Sequence, residues 1–230
     1  MRTDSERKFV CLRRPNPARK SRGARLEIQK RVDCLKKIYG LLLLFLLFAS
    51  LCGCSKEKYK DVTVDTLYVS KSDKLTLVSF YELSNYGSLN TFEVVDDNRM
   101  IDYNYSIDGI GVWRDSAVIV GDQVKVVSGF EDFLCYGGYI GVTCFTGTVE
   151  DALVAFDFNN YDGEYKDYKS GEVVSAETIA SKKDLYVVII DQEIELEIKG
   201  KILYYSDNIE LKDENSVHTA SNGLCYIIFK

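Results

Sequence analysis

After Cys54 the chain has few residue types that do chemistry: Cys135, Cys144 and Cys225, one histidine (His218) and one tryptophan (Trp113). A hairpin turning at Asn222-Gly223 would put His218 and Cys225 on one face. That is the geometry of a nucleophile beside its base. No third orienting group accompanies them, and Cys225 sits in the apolar run CYIIFK, which raises a thiol pKa rather than lowering it. One histidine and scattered cysteines make no zinc pattern, and the chain has no nucleophile elbow, dinucleotide fingerprint or Walker loop. No cofactor is implied and no catalytic residue stands out. The 31 acids from Cys54 onward hold no pair that can be singled out for glycoside hydrolysis.

Three further groups have definite spacing. A hairpin at Gly137-Gly138 sets Cys135 opposite Ile140 and Cys144 opposite Glu131. The two sulfurs are then ~13 Å apart along the sheet, beyond the Cα separation of about 7 Å that a disulfide tolerates. Buried thiols are the expectation. In DFNNYDGEYKDY, Asp157, Asn159 and Asp162 suggest a calcium loop, but the fifth position is Tyr161 where the pattern needs Asp or Asn. Asp162-Gly163 reads as a turn instead. Trp113 is the candidate ligand contact. A hairpin at Asp108-Gly109 groups it with Asn104 and Ser106, where a ring among polar groups begins a sugar-stacking platform. The next hairpin puts Ala117 and Ile119 in the core. Trp113 is then a core residue too, unless a bulge near Arg114-Asp115-Ser116 switches the strand's face.

The elements that must position these residues are strands. VTVDTLYV (62–69), KLTLVSF (74–80), YIGVTCF (139–145), ALVAFDF (152–158), LYVVIID (185–191), EIELEIK (193–199) and CYIIFK (225–230) are β-branched or aromatic, with a period of two. ALVAF, LYVVII and CYIIF are apolar on both faces and read as central strands covered on two sides. No stretch carries a capped helical stripe, and SAETIASKKD (175–184) is the one fair helix candidate. Turn signals imply a meander of hairpins. Gly121-Asp122 pairs Ile119 with Val124 and Ala117 with Val126. Lys199-Gly200 sets Leu196 opposite Leu203. Asn222-Gly223 sets Thr219 opposite Tyr226 and Val217 opposite Ile228. The fold class expected is all-β, an antiparallel β-sandwich or curled barrel of about ten to twelve strands. A partial β-propeller is the alternative, although no fixed repeat appears.

Charge divides the chain. Residues 1–53 carry 13 Lys and Arg against 4 Asp and Glu, which leaves 16 against 31 in the 177 residues from Cys54 onward. An acidic domain argues against nucleic acid and against adhesion to anionic lipid by charge. Both prolines lie in residues 1–35, while 15 of the 16 tyrosines follow Cys54.

The junction is GLLLLFLLFASLCGCSKEK. Its apolar run, residues 38–52, is 15 residues long. A membrane-spanning helix needs about 20, so the run fits a secretory signal, with Lys36 and Lys37 before it and small residues at its end. Leu51-Cys52-Gly53-Cys54 resembles the lipobox of bacterial lipoproteins. The resemblance covers the signal only. It implies cleavage between Gly53 and Cys54, a diacylglyceryl thioether on Cys54 and an acylated new amino terminus. Three acyl chains hold a soluble domain where one holds it marginally. Ser55 is not the aspartate that retains some lipoproteins in the inner membrane, which suggests the outer membrane of a Gram-negative envelope.

The expected organisation is a basic leader (1–35), read as sequence upstream of a true start near Val32 or Leu35; a lipoprotein signal peptide (36–53); a tether (54–60); and an all-β domain (61–230). The function expected is non-enzymatic: an envelope-anchored lipoprotein that presents a β-domain to a protein or glycan partner. The alternatives are a glycan-acting hydrolase with two acids, or a structural or assembly subunit of the envelope.

Overall fold

The β-branched and aromatic runs pair into two sheets. The computed structural model describes residues 59–230 apart from Asp73 and Ser221. The lipobox, Gly53, Cys54, the leader and the signal segment lie outside the described residues. In chain order the first half holds β1 (Thr66–Val69), β2 (Leu75–Glu82), α1 (Leu89–Ser106), β3 (Val112–Val120), β4 (Gln123–Phe130), α2 (Phe133–Ile140), β5 (Cys144–Thr148) and α3 (Val149–Ala152). The second half holds β6 (Tyr165–Asp167), β7 (Val173–Val174), α4 (Ala176–Ala180), β8 (Tyr186–Ile190), β9 (Glu195–Ile198), β10 (Ile202–Ser206), β11 (Ile209–Leu211), β12 (Ser216–Thr219) and β13 (Cys225–Phe229).

The fold is an all-β sandwich. A seven-stranded sheet runs β11-β12-β9-β1-β2-β4-β3 and a six-stranded sheet runs β5-β8-β13-β10-β6-β7. Among the described residues neither sheet closes into a barrel, and no propeller blade forms. Pairing is antiparallel except between β1 and β9. The inner face of the seven-stranded sheet, with Leu67, Leu77, Leu196 and Val217, packs on Val188, Ile190, Ile227 and Phe229 of the other sheet. The rest of that inner face is covered by the helices. Phe92 of α1 meets Val124 and Val126, and Tyr136 of α2 meets Phe130 edge-on. The far face of the six-stranded sheet is covered in turn. Val187, Ile189, Tyr226 and Ile228 lie under Val149, Ala152, Phe158 and Ile179. LYVVII and CYIIF are thus central strands covered on two sides, as their composition requires.

The Gly121-Asp122 hairpin has the register expected, with Ile119 opposite Val124 and Ala117 opposite Val126. The short helix within 175–184 is present as α4, capped by Ser175. Five local expectations are corrected. Residues 89–106 form a helix, and Asp108-Gly109 is the turn that leaves it rather than a hairpin. Its buried side mixes Phe92 and Met100 with Asp96, while Val94, Val95 and Ile101 face solvent. The amphipathic signal is therefore blurred.

Gly137 and Gly138 lie inside α2, and β5 starts only at Cys144. They are glycines for close approach, since a Cβ at Gly137 would sit 2.9 Å from Cys144 Sγ and one at Gly138 2.7 Å from the Tyr103 hydroxyl. Residues 152–158 form no strand: a capping box of Thr148 and Asp151 starts α3, which ends at Ala152, and turns lead from there to a 3-10 turn at Phe158. Lys199-Gly200 and Asn222-Gly223 do not close hairpins. β9 pairs with β1 and β12, and β12 pairs with β9 and β11, whereas β10 and β13 belong to the other sheet. Both glycine turns carry the chain between sheets, a connection that pairing neighbours in sequence overlooks.

Candidate functional site

The open surface of the sandwich is the outer face of the seven-stranded sheet. One row across it reads Trp113, Gly129, Thr76, Tyr68, Glu197, Ser216, each opposite the next. Trp113 reaches this face because β3 shifts register between Arg114 and Ser116. The inserted Asp115 lets Ala117 face the α1 side while Trp113 points outward, so the bulge decides between the two placements that the sequence left open. The indole lies over Gly129, where a Cβ would come within 2.2 Å of its Cε2. Only a residue without a side chain lets the ring lie there. Its Nε1–H donates to Asp115 Oδ1 at 3.1 Å. Lys74 Nζ stands 5.7 Å from the ring centroid and 3.1 Å from Glu131 Oε2. Trp113 is partly buried and partly exposed.

Next to this row is a groove of about 560 Å³, lined by Tyr59, Tyr68, Lys74, Thr76, Glu197 and Lys199 among others. The segment 59–62 folds back across the sheet to form one wall. Tyr59 is 6% exposed, with its ring 4.8 Å from that of Tyr68. Val62 packs with Val78, Val127 and Phe80. Lys125 fastens this strap. Its ammonium donates to the carbonyls of Tyr59 (2.5 Å), Lys60 (3.2 Å) and Val62 (2.6 Å). Burial pushes its pKa below the usual lysine range, and the charge of Asp61 offsets part of that.

Farther along the same face lie Glu195 and Glu197, two residues apart on β9 and therefore on one side. Burial pushes the Glu197 carboxyl up, with Asp213 and Glu195 adding to the rise and a bond to Ser216 opposing it. His218 Nδ1 is 3.2 Å from Glu195 Oε1, and its Nε2 is 3.7 Å from Glu193 Oε1. His218 and Cys225 do not meet. The first is on the outer face, and the second is buried between the sheets.

Cys135, Cys144 and Cys225 are free thiols. Burial raises all three, Cys144 to about 12, which opposes their use as nucleophiles. Asp157 caps a 3-10 turn through the Asn159 backbone and side chain, both at 3.0 Å. Asp162 stays exposed. Among the described residues no group of three or more His, Cys, Asp or Glu side chains could hold a metal ion. Among them, too, no helix is long and apolar enough to cross a membrane.

Composition had singled out Trp113 but not Tyr68, Thr76, Gly129 or Lys125. Two signals pointed to the last pair: an isolated glycine within the strand QVKVVSGF, and a lysine among its valines. Comparison of the chain with protein-family models, with curated proteins and with solved structures finds no match.

Proposed function

We propose that this chain is a lipoprotein of a bacterial envelope, acylated at Cys54 and held at the outer membrane, whose β-sandwich is a non-enzymatic binding domain. The contact surface in this reading is the outer face of the seven-stranded sheet around Trp113. One observation carries it: a bulge and a glycine together place the sole tryptophan on an open face instead of in the core. Burying that ring inside would gain about 1.5–3 kcal/mol or more of transfer free energy. A large aromatic left partly exposed beside polar groups is the composition of a recognition surface.

Two measurements test this reading. Mass spectrometry of the protein from its native membrane should find a mature terminus at Cys54 with acyl chains. A chain starting upstream and unacylated overturns the anchor. Binding of envelope glycan and membrane fractions should then fall at least about tenfold, or 1.4 kcal/mol, in Trp113→Ala. Unchanged binding overturns the assigned surface.

A second reading, a glycan hydrolase, is favoured by the unlike environments of Glu195 and Glu197 on one strand face. It requires turnover of an envelope glycan that Glu197→Gln abolishes while binding persists. The assembly reading looks to an unpaired edge. β3 is such an edge, nine residues long, but its bulge interrupts strand addition.

A further inference from the structure

We infer that the partner of the Trp113 face is the lipid headgroup layer to which the protein is tethered, so that the seven-stranded sheet rests its outer face on the bilayer. This inference rests on the anchor reading above and names the ligand of the same surface.

The first support is covalent. Four residues separate Cys54 from Tyr59. A fully extended chain of that length spans at most about 17 Å. Tyr59 does not start a free linker. It is buried against Tyr68, and its own carbonyl, with those of Lys60 and Val62, is held by Lys125. The strap therefore fixes where the tether leaves the domain: the groove lined by Tyr68, Lys74, Thr76 and Lys199. Acyl chains on Cys54 bring this groove to within about 17 Å of the bilayer surface, less than the diameter of a small domain. The exposed apolar residues of α1, Ile101 and Tyr105, lie on a helix that covers the opposite, inner side of the sheet.

The second support is what the face carries. Trp113 and Tyr68 are partly exposed aromatic rings with a polar edge, the residues that sit at headgroup level in membrane proteins. Lys74, lying by the Trp113 ring, has the long apolar stem that lets an ammonium reach phosphates from an apolar contact. Charge agrees in relative terms. Lys74 and Lys199 line this groove with Glu197, and Glu131 pairs with Lys74, whereas the chain from Cys54 onward carries 16 basic residues against 31 acidic. Anionic headgroups repel the acidic remainder and leave this balanced face free to approach. The acidity of the whole chain argued against charge-driven adhesion, and this contact does not need it, because the acyl chains supply the affinity and the face sets only the orientation.

Because Trp113 is the only tryptophan, its fluorescence reports this surface alone. The acylated protein is reconstituted into vesicles of phosphatidylethanolamine and phosphatidylglycerol and recovered by flotation. Trp113 is then quenched with aqueous iodide and with lipids brominated near the head of the acyl chain. The expected result is strong bromolipid quenching, with iodide quenching several-fold weaker than for a vesicle-bound variant with a Gly/Ser insert of about 20 residues after Lys58, whose r.m.s. span is about 25 Å. Lys125→Met, which releases the strap, should move the same way, and the insert keeps the test valid if that variant fails to fold. Floating protein with Trp113 open to iodide and silent to bromolipid overturns the inference. It leaves the anchor standing and returns the face to a soluble glycan or protein. Protein that does not float overturns the anchor and this inference together.

Discussion

The two sheets share one core but meet their surroundings differently. In the six-stranded sheet, β8 and β13 are apolar on both faces, and both faces are covered. In the seven-stranded sheet, β1 and β9 alternate, with leucines inward and Tyr68, Glu195 and Glu197 outward. Burial on two sides makes a scaffold whose residues are interchangeable only within packing limits. Burial on one side leaves a face free to carry specific groups. Side chains of the first sheet answer to volume, whereas those on the outer row of the second are free of that constraint, and in the function proposed above they meet the partner.

The comparison can be broken most sharply in the scaffold. Ile189→Ala and Ile227→Ala, each at fully buried positions on opposite faces of the six-stranded sheet, should each cost about 2–5 kcal/mol in urea unfolding. Thr76→Ala, on the outer row, should stay within about 0.5 kcal/mol. Similar losses at all three would erase the distinction between the sheets. Next in size is Lys125→Met. It leaves three strap carbonyls without their donor, so a loss of about 1–3 kcal/mol is expected. Trypsin should cut after Lys60 much faster than in the parent, and an unchanged digestion rate would show that the ammonium does not hold the strap.

Gly129→Ala should be smaller in stability but visible in fluorescence, because the new Cβ must lift the indole off β4. A red-shifted Trp113 emission with little change in midpoint is the expected outcome, and an identical spectrum would contradict the placement of the ring. The smallest effect depends on pH. Burial holds the Glu197 carboxyl above its ordinary 4.5, so the folded state binds its proton more tightly than the unfolded state does. That contribution is fully present below the ordinary value and is lost as pH rises through the folded one. Glu197→Gln should therefore raise the thermal midpoint slightly near pH 7, and the gain should vanish below pH 4. A gain that grows on acidification would reverse the sign.

Sequence period located most strands because a half-buried strand must alternate and a fully buried one must be apolar throughout. It placed LYVVII and CYIIF in the centre, and the Gly121-Asp122 register followed from turn chemistry alone. It failed where tertiary context outweighed the local pattern. Gly137 and Gly138 read as a turn but are helical residues admitting Cys144 and Tyr103. Lys199-Gly200 and Asn222-Gly223 read as hairpins, yet a turn sequence does not say which sheet the next strand will join. The site was legible only in part. Trp113 stood out by scarcity, and its exposure turned on a single bulge at Asp115. The strap could not be foreseen, because nothing in residues 59–62 shows that a lysine 63 positions past Val62 will hold their carbonyls.

The central claim is that the outer face around Trp113, and no other surface, meets the envelope. Photocrosslinking in living cells tests it directly, with a benzophenone side chain placed at Thr76 on that face or at exposed Ile101 on α1. The expected result is adducts with an envelope component from position 76 and none from position 101. Adducts from position 101 alone would contradict the assignment and move the contact surface to the opposite side of the sheet.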